Sequence, residues 1–293
     1  MSSTVSELTK KVETLDKMRK VIRVNELSTL SRINKLLTRA ENAVSYHQII
    51  LNNLQQVQKS LNPSARGGNK KPIAIVVTAN RGFCGAYNQN VFQQIDALHD
   101  EIGDFDALVI GKYGKNYLEK SAIHVARYID SPIEEITLED TAEMSSWLLS
   151  SIDKGEYDSI YIVYTQYINA VQSEAKHIEL FPTIPTFENN KKTKQKNIHE
   201  DLEGILDFDD DEIEMERFLM ENYLCGVMYS FLLFSIATEY SARRIAMKNA
   251  KESMEEEHAA TLKLRNRQQR QESTRELMDI IMSASVLEDK ENE

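Results

Sequence analysis

The chain is predicted to be an α/β domain set between two very long terminal helices, which pair antiparallel as a coiled coil. Three observations predict this. Helix breakers are confined to the centre: all five prolines, Pro63, Pro72, Pro132, Pro182 and Pro185, lie there, and residues 1–62 contain neither Pro nor Gly. Residues 205–293 contain no Pro and a single Gly, Gly226. Apolar residues recur at helical spacing through the N-terminal stretch, and short β-branched runs alternate with helical segments between the two ends.

The N-terminal stripe runs through Leu8, Val12, Leu15, Met18 and Ile22, resumes at Leu27, Leu30, Ile33, Leu37, Ala40 and Val44, and continues to Ile50, Leu54 and Val57. A face sustained this far beyond the usual 8–20 residues, without caps, indicates a coiled coil over residues 1–62. This stretch carries ten Lys/Arg against five Asp/Glu, a basic helix in a protein of formal net charge −11. Residues 62–71 (NPSARGGNKK) read as a linker.

The central domain spans 72–186. Strands are expected at 73–78 (IAIVVT), 107–110 (ALVI), 124–129, 157–164 (YDSIYIVY) and 177–182, with helices near 87–101, 113–119 and 139–153. Strands alternating with helices indicate a Rossmann-like layer with a mainly parallel sheet. Residues 187–210 form an acidic loop: positions 200–216 carry ten Asp/Glu and no Lys/Arg. The reading preferred is a solvated loop; an electrostatic contact with a basic partner is the sharper one. From 211 to 287 nothing interrupts a helix, which at 1.5 Å per residue is on the order of 110 Å. Only the N-terminal helix is comparable in kind, so the two pair. Residues 288–293 are a short acidic tail.

Composition excludes several functions. The acidic charge disfavours nucleic acid as a partner. Cys84 and Cys225 are the only cysteines and neither sits in a CxxC pair, so no metal site is expected. The longest apolar stretch, 226–237, is about a dozen residues, short of the roughly 20 a membrane span needs, so no direct membrane insertion is expected. No GxxxxGK[ST], GxSxG or HExxH motif occurs. No catalytic residue and no cofactor are therefore assigned. The strand–loop–helix segment 78–88 (TANRGFCGAYN) could present a helix N-terminus to an anion. The reading preferred is a tight turn in which Gly82 and Gly85 allow close backbone packing. Cys84 has no assignable base, so buried packing is its expected role. In 238–250 (TEYSARRIAMKNA), Ala242, Ala246 and Ala250 form a small-residue row suited to close helix approach.

At these segments the chain resembles the gamma subunit of F-type ATP synthases. RGFCGAYN is similar to the family's RGLCGxxN signature, at Arg81, Gly82, Cys84, Gly85 and Asn88. TEYSARRIAMKNA is similar to its SEHxARMxAMxNA segment, with Arg243, Ala246, Met247, Asn249 and Ala250 in matching positions. Residues 161–172 (YIVYTQYINAVQ) resemble a strand ending in YxxFxNxxQ, with Tyr167 in place of the Phe, and 109–114 (VIGKYG) resembles a VGKKG turn. These matches follow family order along nearly the whole chain.

The resemblance implies a central-stalk rotor turning inside a hexameric ring of alpha-like and beta-like nucleotide-binding subunits, which carry the catalysis. It implies an epsilon-like subunit, and a membrane rotor ring or another machine, at the foot, and a cytoplasmic location peripheral to the inner face of the cell membrane. Residues implied to touch the ring are Arg23, Asn25, Glu26, Gln269, Arg270, Thr274 and Glu276. The departures lie in this set. The family's first Met in ITKAMxMVAxSK is Asn25 here, and its Arg-Gln pair is reversed as Gln269-Arg270. They predict a specialised rotary ATPase, similar to divergent relatives that drive other machinery, rather than a housekeeping synthase. The rival readings are a non-rotary coiled-coil scaffold with an α/β head and a small enzyme built on the Gly82/Gly85 loop.

Overall fold

The computed structural model describes residues 3–60, 71–182 and 212–291. The elements are α1 (Ser3–Ser60), β1 (Lys71–Val77), α2 (Tyr87–Ile102), β2 (Asp106–Ile110), α3 (Lys112–Lys120), β3 (Val125–Ile129), a 3-10 turn (Ile133–Glu135), α4 (Leu138–Asp153), β4 (Tyr157–Tyr167), β5 (Ser173–Phe181) and α5 (Glu212–Glu291). Both terminal helices are continuous, as the distribution of breakers requires. Residues 61–70 and 183–211 lie outside the described residues, and with them nearly all of the predicted linker and acidic loop; the side chains of the tail do too.

The chain divides into two compact units, Ser31–Arg243 and Met1–Leu30 with Arg244–Glu293. In the first, five strands form one sheet in the order β3-β2-β1-β4-β5. β1 to β4 run parallel, and β5 returns antiparallel to β4 along the edge. Alternation along β1 sorts the core into two layers, because successive side chains of a strand point to opposite faces. Ile73, Ile75 and Val77 face α4, Leu51 and Leu54 of α1, and the α5 residues Leu219 to Ile236. Ala74 and Val76 face Val91, Ile95 and Leu98 of α2 and Leu118 of α3. β1 is buried on both faces, which explains its unbroken apolar run. At the entry of the parallel strands, the Asp106 carboxylate joins four of them. Lys71 pairs with it, His124 Nδ1 lies at 3.1 Å, and the Tyr157 hydroxyl donates to it at 3.1 Å.

Within this unit α1 and α5 run antiparallel: Arg32 Nη1 bonds the Tyr240 hydroxyl at 3.5 Å, while His47 Nδ1 lies 3.3 Å from Ser230 Oγ. The lone glycine of α5 has its reason here. A Cβ on Gly226 would stand 2.9 Å from Cβ of His47, so only glycine lets the two backbones approach this closely. His47 is 1% exposed, and burial pushes its pKa down to about 4.

The apolar stretch of α5 also corrects an expectation. This helix does contain a segment long and apolar enough, by composition, to cross a membrane, but 72% of that segment is buried inside the protein. Its hydrophobicity is that of a core helix packed on a sheet.

In the second unit α1 and α5 meet through the half-exposed pair Lys11 Nζ–Glu257 Oε1 at 2.8 Å, and His258 Nε2 lies 3.5 Å from Asp16 Oδ1. Val5, Val12, Leu15 and Ile22 are buried, but Met18, expected in the stripe, is 50% exposed. The stripe is narrower than the spacing suggested, because one helix partner covers only one seam.

Candidate functional site

The loop between β1 and α2 is built around Asn88. Its Oδ1 accepts from the Ala79 backbone N–H at 3.0 Å, and its Nδ2 donates to Cys84 Sγ at 3.4 Å. Asn88 thus closes the loop from the first turn of α2. Asn80 extends the link sideways, accepting from the Lys112 backbone N–H at 2.7 Å and donating to the Ser131 carbonyl at 3.2 Å. Cys84 is buried with Ala79 and Tyr87, and Ala242 of α5 packs against this cluster. Burial, followed by the Glu239 charge, pushes the Cys84 thiol up, so the group is a packing residue. Arg81 and Gly85 are exposed, and Gly82 is half-buried. Phe83, beside them, is 81% exposed with φ 62°.

The expectation of close packing holds at one of the two glycines: a Cβ on Gly82 would stand 3.0 Å from the Tyr113 hydroxyl oxygen. A Cβ on Gly85 would meet nothing within 4 Å, although its φ of 57° favours glycine. The closest approach lies at the VIGKYG segment. A Cβ on Gly111 would stand 2.1 Å from the Thr78 carbonyl oxygen, and one on Gly114 2.8 Å from Thr78 Oγ1. The same Thr78 Oγ1 accepts from the Gly114 N–H at 2.8 Å and donates to the Ile110 carbonyl at 3.1 Å. The two sequence motifs therefore form one joint, with the end of β1 seated in the start of α3.

α5 supplies the other side. Arg243 forms an ion pair with Glu239, one turn earlier on the same helix, and Glu239 is 4% exposed. Burial raises the Glu239 carboxyl, and Arg243 opposes the rise. Ser241 Oγ donates to the Ala170 carbonyl at 2.8 Å, fastening the β4–β5 turn to α5. The sequence placed Arg243 in this segment but not Glu239 or Ser241. The Glu–Arg spacing of four in an otherwise apolar helix was the available signal.

Cys84, Asn88 and Arg243 are thus brought around one joint. The other predicted residues lie elsewhere. In the helical unit Met247 is half-buried and Asn249 exposed. Arg23, Gln269, Arg270, Thr274 and Glu276 are all exposed, while the side chains of Asn25 and Glu26 lie outside the described residues. Arg270, Thr274, Arg275 and Met278 share one open face of α5. Beyond them Leu277, Met278, Ile280, Ile281 and Met282 are each at least 56% exposed. Sequence reasoning did not single out this apolar run.

Comparison with known proteins identifies the arrangement. A family model described as ATP synthase matches residues 4–287. The ATP synthase gamma chain of Ruminiclostridium cellulolyticum is 26% identical over 300 residues, covering 98% of this chain and all of that one. That of Pelotomaculum thermopropionicum is 28% identical over 221 residues, covering 75% of this chain and 74% of its own. Among solved structures, a chain of the Euglena gracilis mitochondrial ATP synthase matches with a TM-score of 0.65 at 17% identity, covering 97% of this chain and 94% of that one. A chain from the central stalk and c-ring structure of the Tetrahymena thermophila enzyme matches with a TM-score of 0.57 at 20% identity, covering 78% and 99%. At those identities the structural likeness shows the fold. The family match spans nearly the whole sequence, and with it the chain belongs to the ATP synthase family as a gamma-type central-stalk subunit.

Proposed function

We propose that this chain is the non-catalytic shaft of a rotary ATPase, turning within a hexameric ring of alpha-like and beta-like nucleotide-binding subunits. The observation that carries the reading is the exposed apolar run Leu277–Met282 of α5, directly after Arg270 and Arg275. Apolar side chains this exposed on one helix form a surface that another subunit can cover. Arg23, Asn25, Glu26, Gln269, Arg270, Thr274 and Glu276 make the ring contacts. An asymmetric shaft offers each of three equivalent catalytic subunits a different face, and differential contact biases each towards a different conformation. The α/β domain takes the foot, where an epsilon-like subunit and a membrane rotor ring, or another machine, attach. That places the complex at the cytoplasmic face of the membrane, held there through partners.

The shaft couples rotation to ATP hydrolysis or synthesis in the ring, and the reversed pair Gln269-Arg270 and the Asn at position 25 support a specialised rotary ATPase over a housekeeping synthase. Reconstitution tests the proposal. The chain is purified with its neighbouring ring subunits, and ATP turnover and rotation of a bead on the foot are measured. Co-purification with a hexameric ring and unidirectional rotation are expected. A chain that neither co-purifies with such a ring nor changes its turnover is a scaffold instead.

A further inference from the structure

Three buried hydroxyls have no hydrogen-bond partner among the described residues where α2, β4 and α5 meet: Tyr87 Oη, Thr165 Oγ1 and Thr238 Oγ1. Their residues are 3%, 1% and 0% exposed. The Tyr87 hydroxyl lies within reach of Thr165 and Ser235 and feels the Glu239 charge, yet it makes no well-aligned bond to either hydroxyl. Ser235 Oγ is engaged with the Thr165 backbone N–H at 3.3 Å. Thr238 follows Ser235 by three residues, so the two share a face of α5.

Buried hydroxyls are almost always hydrogen-bonded, so three orphans at one junction call for a common partner. That partner must both donate and accept, since each hydroxyl can do either. It must also be small, because the surrounding residues are close to fully buried. The nearby carboxylate of Glu239 is already paired with Arg243, so no net charge calls for a cation. We infer that this joint holds a structural water molecule bridging Tyr87, Thr165 and Thr238, a site that ties α2 and β4 to α5. A buried water typically makes about three hydrogen bonds to such groups. In the central-stalk reading this is where load passes between helix and sheet. The site itself does not depend on that reading, because unfolding of the full chain measures it without partners.

The test turns on sign and coupling. If the hydroxyls are merely orphaned, Tyr87→Phe and Thr238→Val relieve a penalty and raise Tm. With a bridging water, each substitution removes one of its bonds and lowers Tm by about 3 °C, and the double substitution costs clearly less than the sum. Thr238→Ser keeps the hydroxyl and holds Tm near the parent value. A rise in Tm, no change, or strictly additive losses overturns the proposal; additive losses would mean that Tyr87 and Thr238 share no common partner. An experimental structure of the chain at a resolution that shows waters gives a second readout. Density within hydrogen-bond distance of all three hydroxyls supports the site, and its absence sinks it.

Discussion

The two units of this chain use the same two helices in opposite ways. In the sheet-bearing unit, α5 is buried almost all round from Leu219 to Ser241: Tyr223, Leu224, Val227 and Met228 are closed from solvent, and even Ser230, Ser235 and Thr238 are fully buried. In the helical unit, α5 and α1 leave Val21, Val24, Leu264, Leu277 and Ile280 exposed, each by 47% or more. The first stretch has a sheet, α4 and α1 to cover it; in the second, two helices share a single seam. The difference teaches that helical periodicity reports which residues could be buried, while the number of neighbours determines which ones are. Apolar surface left over in the helical unit is what a surrounding partner would cover.

The sharpest way to break the comparison is in the sheet-bearing unit. Gly111→Ala drives a Cβ into the Thr78 carbonyl at a backbone φ of 100°. We expect a loss of roughly 4 kcal/mol, overpacking and backbone strain together, read as a lower denaturation midpoint with unchanged slope. Retention of parental stability would mean that the β1–α3 joint is looser than its geometry.

Acidification comes next. The folded-state pKa of His47 lies at about 4 against 6.5 unfolded. The folded protein therefore binds fewer protons than the unfolded chain between those values. The contribution of His47 is intact above pH 6.5 and is lost as pH falls from 6.5 towards 4, on the order of 3 kcal/mol. Substituting His47→Gln should flatten this part of the stability–pH curve; an unchanged slope would clear His47 of the effect.

Gly226→Ala pushes a Cβ to within 2.9 Å of His47 Cβ and should cost about 2 kcal/mol as the helices part. The smallest effect on stability is expected in the helical unit. Leu277→Ser and Ile281→Ser, both over 60% exposed, should change stability by less than ~0.5 kcal/mol, while weakening retention by the nucleotide-binding ring on size exclusion. A large stability loss there would show that this surface serves the chain itself, and the contrast between the units would fail.

Much of this was legible beforehand, for identifiable reasons. The strand runs at 73–78 and 157–164 and the helix at 139–153 emerge close to their expected limits. Their periodicity and flanking breakers are local properties, and Thr137 with Asp140 closes α4 in a capping box. The antiparallel direction of β5 was not legible, because an edge strand alternates in the same way whichever direction it runs. At the joint, Cys84 was correctly expected to be buried. The partners of its loop were not, since Thr78 meets Ile110 and Gly114, and Ala242 meets the Cys84 cluster, only by contacts between distant parts of the chain. The packing role of Gly85 was overestimated and those of Gly111 and Gly114 missed, because glycine spacing does not say which backbone comes near.

By itself, the sequence determined two uninterrupted terminal helices, an α/β centre and membership of a motif-bearing family. These follow from helix breakers, apolar period and local signatures, all of which act over a few residues. Tertiary structure alone decided that Gly226 is the point where α1 and α5 nearly touch, and that Glu239 and Arg243 are paired at a buried joint. It also decided that the apolar side chains from Leu277 to Met282 stay largely exposed. Each of these depends on which surfaces meet, and burial is a property of neighbours rather than of the residue buried.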